Sequence, residues 1–251
     1  MQQVVRGIVV PDWPAPPGVR AAVATREMDG HSRAPFGRMN LGARCGDDAA
    51  AVAANRAALV DALRLPSAPI WLQQVHGSVV VDADAAHGPD EPVADAAVSR
   101  GAAVLAVLTA DCVPVLFASD DARAIGVAHA GWRGLAAGVL EATLDALHVE
   151  PARVIAWIGP AIGAASYEVG EEVRAAFVDA DAGARQAFAA TRPGHWQCDL
   201  AALARRRLAG AGVTRVSGGD FDTFTDARFH SYRRETRTGR FATLVWREPS
   251  A

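Results

Sequence analysis

The chain has 251 residues, of which 51% are apolar and 21% charged, and its net charge is −3. That length supports a real hydrophobic core in one large domain or two small ones, and the near-neutral balance argues against a general nucleic-acid or membrane-surface role. All 25 basic residues are arginines. Without lysine there is no lysine Schiff base and no P-loop lysine, so any anion must be held by arginine, histidine, backbone N–H groups or a metal.

The opening MQQVVRGIVVPDW lacks the basic and long apolar regions of a secretory leader. Cys45, Cys112 and Cys198 are sparse and odd in number, which argues for a reducing compartment, by default the cytoplasm. PDWPAPPGVR reads as a proline-rich loop and VRAAVATRE as a weakly alternating strand. DDAAAVAANRAALVDALRL is an Ala-rich helix with Asp47 or Asp48 near its N-cap, ended by Pro66 and Pro69. IWLQQVHG and SVVVDAD read as two strands around a His76-Gly77 turn. AAVLAVLTADC, VPVLFASD and ARAIGVAHAG follow as further strands, and the Asp111 and Pro114 within this apolar region make it a poor membrane span. LAAGVLEATLDALHV is a helix, RVIAWIGPAIG a buried strand, and EVGEEVRAAFVDA and DLAALARRRLAGAG are helices, the last capped by Asp199. TRVSGGDFDTFTD and RFATLVWRE close the chain as strands. Hairpin-like and helix-separated strands together predict a mixed α+β fold, and no Pro/Ser-rich linker divides it, so residues 1–251 read as one domain.

His76, Cys112 and His129 each lie just past an apolar run, in PIWLQQV-H, AAVLAVLTAD-C and AIGVA-H. Side chains at neighbouring strand ends converge at a sheet edge. Two imidazoles and a thiolate make a three-ligand zinc set that leaves a fourth position for water, as catalytic zinc sites do. Glycine after His76, and Gly131 and Gly134 after His129, let backbone and substrate approach closely. Singly, a buried cysteine is ordinarily inert packing and a strand-end histidine a satisfied polar cap. Asp111 adds weight, because a carboxylate between two apolar runs is costly unless it is hydrogen-bonded or functional; a turn-forming Asp accepting backbone N–H bonds is the plainer alternative.

QQVHG, TADCVPVLF and AHAGWRG, in this order, resemble the laccase-domain family, whose members are also called multicopper polyphenol oxidase-like proteins and purine nucleoside phosphorylases. The likeness extends upstream through FGRMNLGARCGDD and ANRAAL, and downstream through IGPAIGAASYEVGEEV, WQCDLAALARRRL and RFHSYRRETRTGR. The resemblance implies a single α+β domain layered α/β/β/α, with zinc held by His76, Cys112 and His129. It implies phosphorolysis of adenosine, inosine, guanosine and methylthioadenosine with adenosine deamination alongside, so that a purine nucleoside and phosphate are the partners of a monomer or weak homodimer. Laccase-like copper oxidation and editing of a peptidoglycan precursor are also associated with the family.

A multicopper relay needs paired histidine clusters, and this chain has 7 histidines with no H-x-H pair, so zinc suits the site better, with Cu2+ as the alternative metal. With lysine absent, Arg56 of ANRAAL is the first candidate phosphate clamp, Asn40 of MNLG a ribose or phosphate contact, and Arg133 of GWRG a substrate-orienting group. The plainer readings are a helix-surface ion pair, a turn cap and a stack on Trp132. The SYRRETRTGR cluster is dense enough for an anion site or is a solvated loop. His195 and Cys198 around Trp196 read as packing at a helix N-terminus. A competing assignment makes Cys112 the nucleophile of a cysteine hydrolase, with His129 as base and Asp111 as orienter. A non-catalytic metal store would need a closed, four-ligand site.

Overall fold

The structure, a computed structural model, describes residues 6–85 and 90–248. Met1–Val5, which carry part of the leader argument, lie outside the described residues. Two sheets form the middle of the molecule. The first runs in the order β1 (Ile8–Val9), β2 (Val19–Ala24), β14 (Phe241–Arg247), β6 (Val104–Thr109) and β3 (Pro69–Ile70). The second runs β13 (Arg215–Gly218), β9 (Val154–Ile158), β7 (Val113–Ser119), β8 (Ile125–Ala130), β5 (Ala96–Ser99) and β4 (Val80–Asp82). Each mixes parallel and antiparallel pairs: β6 is antiparallel to β14 but parallel to β3, and β7 is antiparallel to β8 and β9 while β13 is parallel to β9.

Strand periodicity of two explains why these segments are apolar on every residue. Leu105 and Val107 of β6 point between the sheets, where they meet Leu116, Ile125, Val127 and Trp157 of the second sheet. Val104 and Ala106, one residue out of phase, point the other way and pack with Leu59 of α1 (Ala49–Leu63). In β7, Val113, Val115 and Phe117 face outward onto Leu140 and Leu144 of α3 (Val139–Leu147) and Leu203 and Leu208 of α5 (Leu200–Gly210). The layers are therefore helix, sheet, sheet, helix, as the family resemblance implies. Asp48 caps α1 by accepting from Ala50 and Ala51 N–H, and Arg64 in the left-handed region ends it before Pro66. Among the described residues no helix is long and apolar enough to cross a membrane.

The structure corrects four local readings. The segments flanking His76 are not a hairpin: β3 belongs to the first sheet and β4 to the second, so residues 71–79 cross between layers. The helix predicted after Gly134 is split by Gly138, whose φ of 91° ends the short α2 (Trp132–Ala136) before α3 begins. The start of EVGEEVRAAFVDA is a strand, β10 (Glu168–Gly170), ahead of α4 (Glu171–Val178). The residues around Trp196 form a strand, β12 (His195–Cys198), between β10 and β11 (Phe188–Arg192) in a third sheet; Cys198 at its end is buried against Leu200 and Leu203 and packs the start of α5 as read, while His195 lies at the far end of the strand. The largely exposed, Ala-containing β11 and the Ala-rich β5 carry no clear alternation, which is why neither is legible as a strand.

Candidate metal centre

Two of the crossings between the sheets, β3 to β4 and β6 to β7, meet at one edge of the sandwich, and each delivers a ligand candidate. Residues 110–112 carry the chain from the end of β6 to the start of β7 and place Cys112 beside β8, in which His129 pairs with Pro114. Residues 71–79 bring His76 to the same edge. Asp111 and His76 hold positive φ angles of 99° and 63°, a conformation that costs non-glycine residues of order 1–3 kcal/mol and persists only where the surroundings impose it. The His76 and His129 rings meet edge to face with centroids 4.8 Å apart, and Cys112 Sγ lies 3.8 Å from His76 Nε2. One ligating atom from each of His76, Cys112 and His129 falls within 4.8 Å of the others. Tetrahedral zinc on N and S ligands needs ligand separations of about 3.3–3.6 Å, so a small contraction of the cluster closes it around an ion.

The centre is organised by Asp95, a residue the sequence reasoning passed over. Its side chain is fully buried. Oδ1 accepts from His76 N–H at 2.9 Å and from His129 Nδ1 at 2.8 Å, and Oδ2 accepts from Gly77 N–H at 2.7 Å and Val75 N–H at 3.2 Å. One carboxylate thus fixes the backbone of the His76 turn and the tautomer of His129, leaving His129 Nε2 as the nitrogen for a metal. Burial alone would raise the Asp95 pKa; His129 and the backbone N–H donors outweigh it and hold the carboxyl below its ordinary value. Asp95 stands in VADAAVS, an acid abutting an apolar run, the same cue that drew notice to Asp111. The orienter of His129 is therefore Asp95. Asp111 instead accepts from Thr223 Oγ1 and from the Arg233 N–H, each at 2.7 Å, so its carboxylate is spent on fastening a loop.

Burial pushes the Cys112 thiol up, but His129 first and then His76 stabilise the thiolate and bring its pKa down to about 6. Burial likewise disfavours the His129 imidazolium, and the Cys112 thiolate and Asp95 overcome this to raise its pKa to about 9. Metal-free protein therefore carries a thiolate–imidazolium pair at neutral pH. Its alkylation by iodoacetamide should rise with pH through a midpoint near 6, whereas an ordinary thiol titrates at about 8.5. Added zinc should suppress the reaction. Mass spectrometry of the Cys112 peptide across pH 4–9 checks both points.

Two glycines make the cluster sterically possible. A Cβ on Gly131 would stand 2.7 Å from His76 Cδ2 and 3.0 Å from Cys112 Sγ, and one on Gly134 would stand 2.7 Å from Gly77 O. Gly131→Ala should therefore lower zinc affinity by about tenfold or more by displacing His76, with little change in the thermal midpoint of the metal-free protein. Competition with a chromophoric chelator measures the first quantity and a thermal scan the second.

The cluster lines a cavity of about 500 Å³ whose wall includes Trp132, Tyr167, Tyr232 and Arg133. Arg133 stacks on Trp132, 4.4 Å from the ring centroid. Arg56 also reaches the wall, but it stacks on Trp71, donates through Nε to Leu41 O and pairs through Nη1 with Glu91 at 2.8 Å. Glu91 also pairs with Arg44. A carboxylate shared by these two guanidinium groups makes Arg56 a weak phosphate clamp. Asn40 is fully buried: Oδ1 accepts from Gly42 and Arg240 N–H, and Nδ2 donates to Gly42 O and Asp47. With its amide spent on the chain, Asn40 stands behind the wall and shapes it, the turn-capping alternative.

Fold and site define a candidate metal-binding protein: a four-layer sandwich with a His-Cys-His centre where the chain crosses between its sheets. Residues 20–248 match the family described as multi-copper polyphenol oxidoreductase laccase, and the chain belongs to that family. A Xylella fastidiosa relative (strain Temecula1) named purine nucleoside phosphorylase is 53% identical, covering 95% of this chain and 96% of its own. An Escherichia coli K12 relative named purine nucleoside phosphorylase YfiH is 46% identical over 95% of this chain and 98% of its own. The crystal structure of a Neisseria meningitidis protein superposes with a TM-score of 0.93 at 41% identity, covering 97% of this chain and 100% of its own.

Proposed function

We propose that this chain is a zinc-dependent purine nucleoside phosphorylase acting on adenosine, inosine, guanosine and methylthioadenosine, with adenosine deamination as a side activity. The observation that carries this reading is the His76–Cys112–His129 cluster opening onto a cavity of about 500 Å³, within the usual range for small-molecule sites. The relatives named purine nucleoside phosphorylase support it. Two imidazoles and one thiolate, with Nδ1 of His129 already taken by Asp95, suit zinc, while Cu2+ is the competing metal by affinity. Zinc in a three-ligand site supplies Lewis acidity at its open fourth position.

The chain's own residues supply the rest. Trp132, Tyr167 and Tyr232 offer aromatic faces on the cavity wall for a purine. Burial raises the Tyr167 pKa, so its phenol stays protonated and able to donate. In phosphorolysis a phosphate oxygen bonds to C1′ while the C1′–N9 bond breaks with its electron pair on the purine. The proton that hydrogen phosphate gives up ends on the base, yielding ribose 1-phosphate and free purine. Deamination adds water at C6 and releases ammonia. Three free thiols, one of them a ligand, suit the reducing cytoplasm.

The test is metal analysis followed by chromatography of adenosine with and without phosphate. Adenine formed only with phosphate supports phosphorolysis, inosine marks deamination, and hypoxanthine marks both; zinc-loaded protein that forms none of them overturns the proposal. The Cys112–His129 ion pair of the metal-free form favours one second reading, a cysteine hydrolase acting on a cell-wall precursor. Purified protein without stoichiometric metal but with rapid Cys112 alkylation would select it.

A further inference from the structure

Five arginines line the cavity: Arg44, Arg56, Arg133, Arg233 and Arg240. They divide into two groups. Arg44 and Arg56 share the carboxylate of Glu91. Arg133, Arg233 and Arg240 pair with no carboxylate among the described residues; each lies against an aromatic ring, of Trp132, Tyr167 and Tyr232 respectively. The first group is thus half-neutralised, with two guanidinium charges on one carboxylate, while the second keeps its full positive charge on the cavity wall.

The cationic wall is held from behind by two buried polar side chains, Asp111 and Asn40. Buried Asp111 takes the backbone N–H of Arg233 at 2.7 Å, and fully buried Asn40 takes that of Arg240 at 2.8 Å. Arg233 Nη1 is steadied by Glu168 O, and Arg240 Nη1 by the carbonyls of Thr238 and Gly239. An arginine has five N–H donors, so each keeps most of its fork for a ligand. Thr109 adds an independent sign. It lines the same cavity at 1% exposure, and its Oγ1 has no hydrogen-bond partner; a buried hydroxyl without a partner calls for one.

We infer that Arg133, Arg233 and Arg240 form the seat of inorganic phosphate, with Asp111 and Asn40 as positioning residues that aim Arg233 and Arg240 through their backbone N–H groups. This deepens the phosphorolysis reading and rests on it for the identity of the anion. Guanidinium forks bind phosphate oxygens in pairs and stay charged at every working pH. The same chemistry would hold a phosphate ester carried by the substrate itself, and the experiment separates the two sources.

Zinc-loaded wild type, Arg233→Met, Arg240→Met and Arg233→Lys are titrated calorimetrically with inorganic phosphate and, separately, with AMP. Steady-state phosphorolysis of adenosine is measured in parallel. Arg233 is exposed, so its variants should fold as the wild type does, and thermal midpoints check Arg240→Met. The expected result is a phosphate Kd and phosphate KM raised about 10- to 100-fold in both methionine variants, an adenosine KM left near wild type, and partial recovery in Arg233→Lys. Unchanged phosphate binding in both methionine variants overturns the inference, as does a wall that retains AMP and ignores free phosphate. Wild type that binds phosphate through these arginines yet phosphorolyses no nucleoside overturns the functional reading and leaves the seat standing.

Discussion

Cys112→Ala is expected to empty the metal centre and to lower nucleoside turnover by at least about 1,000-fold. Removing the only sulfur donor leaves two neutral nitrogens, and a loss of zinc affinity of about 100-fold or more follows, beyond what loss of a supporting hydrogen bond to a ligand costs. The change should not unfold the chain. Cys112 is half-buried, and β7 begins only at Val113. Without the thiolate, His129 also loses the first of the groups that hold its pKa near 9, so its imidazole returns toward neutrality. Plasma emission analysis of the purified variant, together with adenosine turnover, checks the expectation. Full metal stoichiometry in Cys112→Ala would refute the ligand assignment.

The second large effect falls on Asp95, which is fully buried and stands outside the residues lining the cavity. Asp95→Ala leaves three backbone N–H groups and His129 Nδ1 without the acceptor they share, at a position with 0% exposure. A cost of about 3–5 kcal/mol is expected for breaking a buried charged network of this kind. Asp95→Asn keeps one acceptor oxygen but turns an N–H2 toward donors, so it should weaken zinc binding by about 10- to 100-fold while remaining better folded than the alanine variant. Because folding lowers the Asp95 pKa, its contribution is full above the ordinary carboxylate pKa and is lost as pH falls through the lower folded value. Urea unfolding of metal-free wild type and Asp95→Asn from neutral to acid pH should show that acid-sensitive portion only in the wild type.

The three ligand candidates were legible because each ends an apolar run, and a chain that stops burying hydrophobes at a His or Cys usually does so for a reason. What joins them was not. A period-two pattern before and after His76 is the same for a hairpin and for a crossing between sheets, since both need strands on either side of a turn; only partner choice, a non-local property, distinguishes them. Asp95 was hidden because three of its four partners are backbone N–H groups, which carry no residue identity, and the fourth, His129, lies 34 residues away. The arginines of the wall were partly visible: Arg133 and the Arg233–Arg240 cluster were noticed, but Arg56 was preferred to the cluster because Glu91, which neutralises it, lies 35 residues away. The split at Gly138 shows the opposite failure, a helical pattern that continues across a residue whose backbone does not.

The two crossings have a mechanical meaning. His76 and Cys112 ride on two of the segments that tie one sheet to the other, and His129 belongs to the second sheet alone. An ion gripped by all three acts as a rivet through the sandwich. Slippage of the sheets by a fraction of a residue would pull the ligands apart before any strand or helix dissolves. On heating, catalysis should therefore vanish several degrees below the loss of far-ultraviolet ellipticity, and excess zinc should narrow the gap.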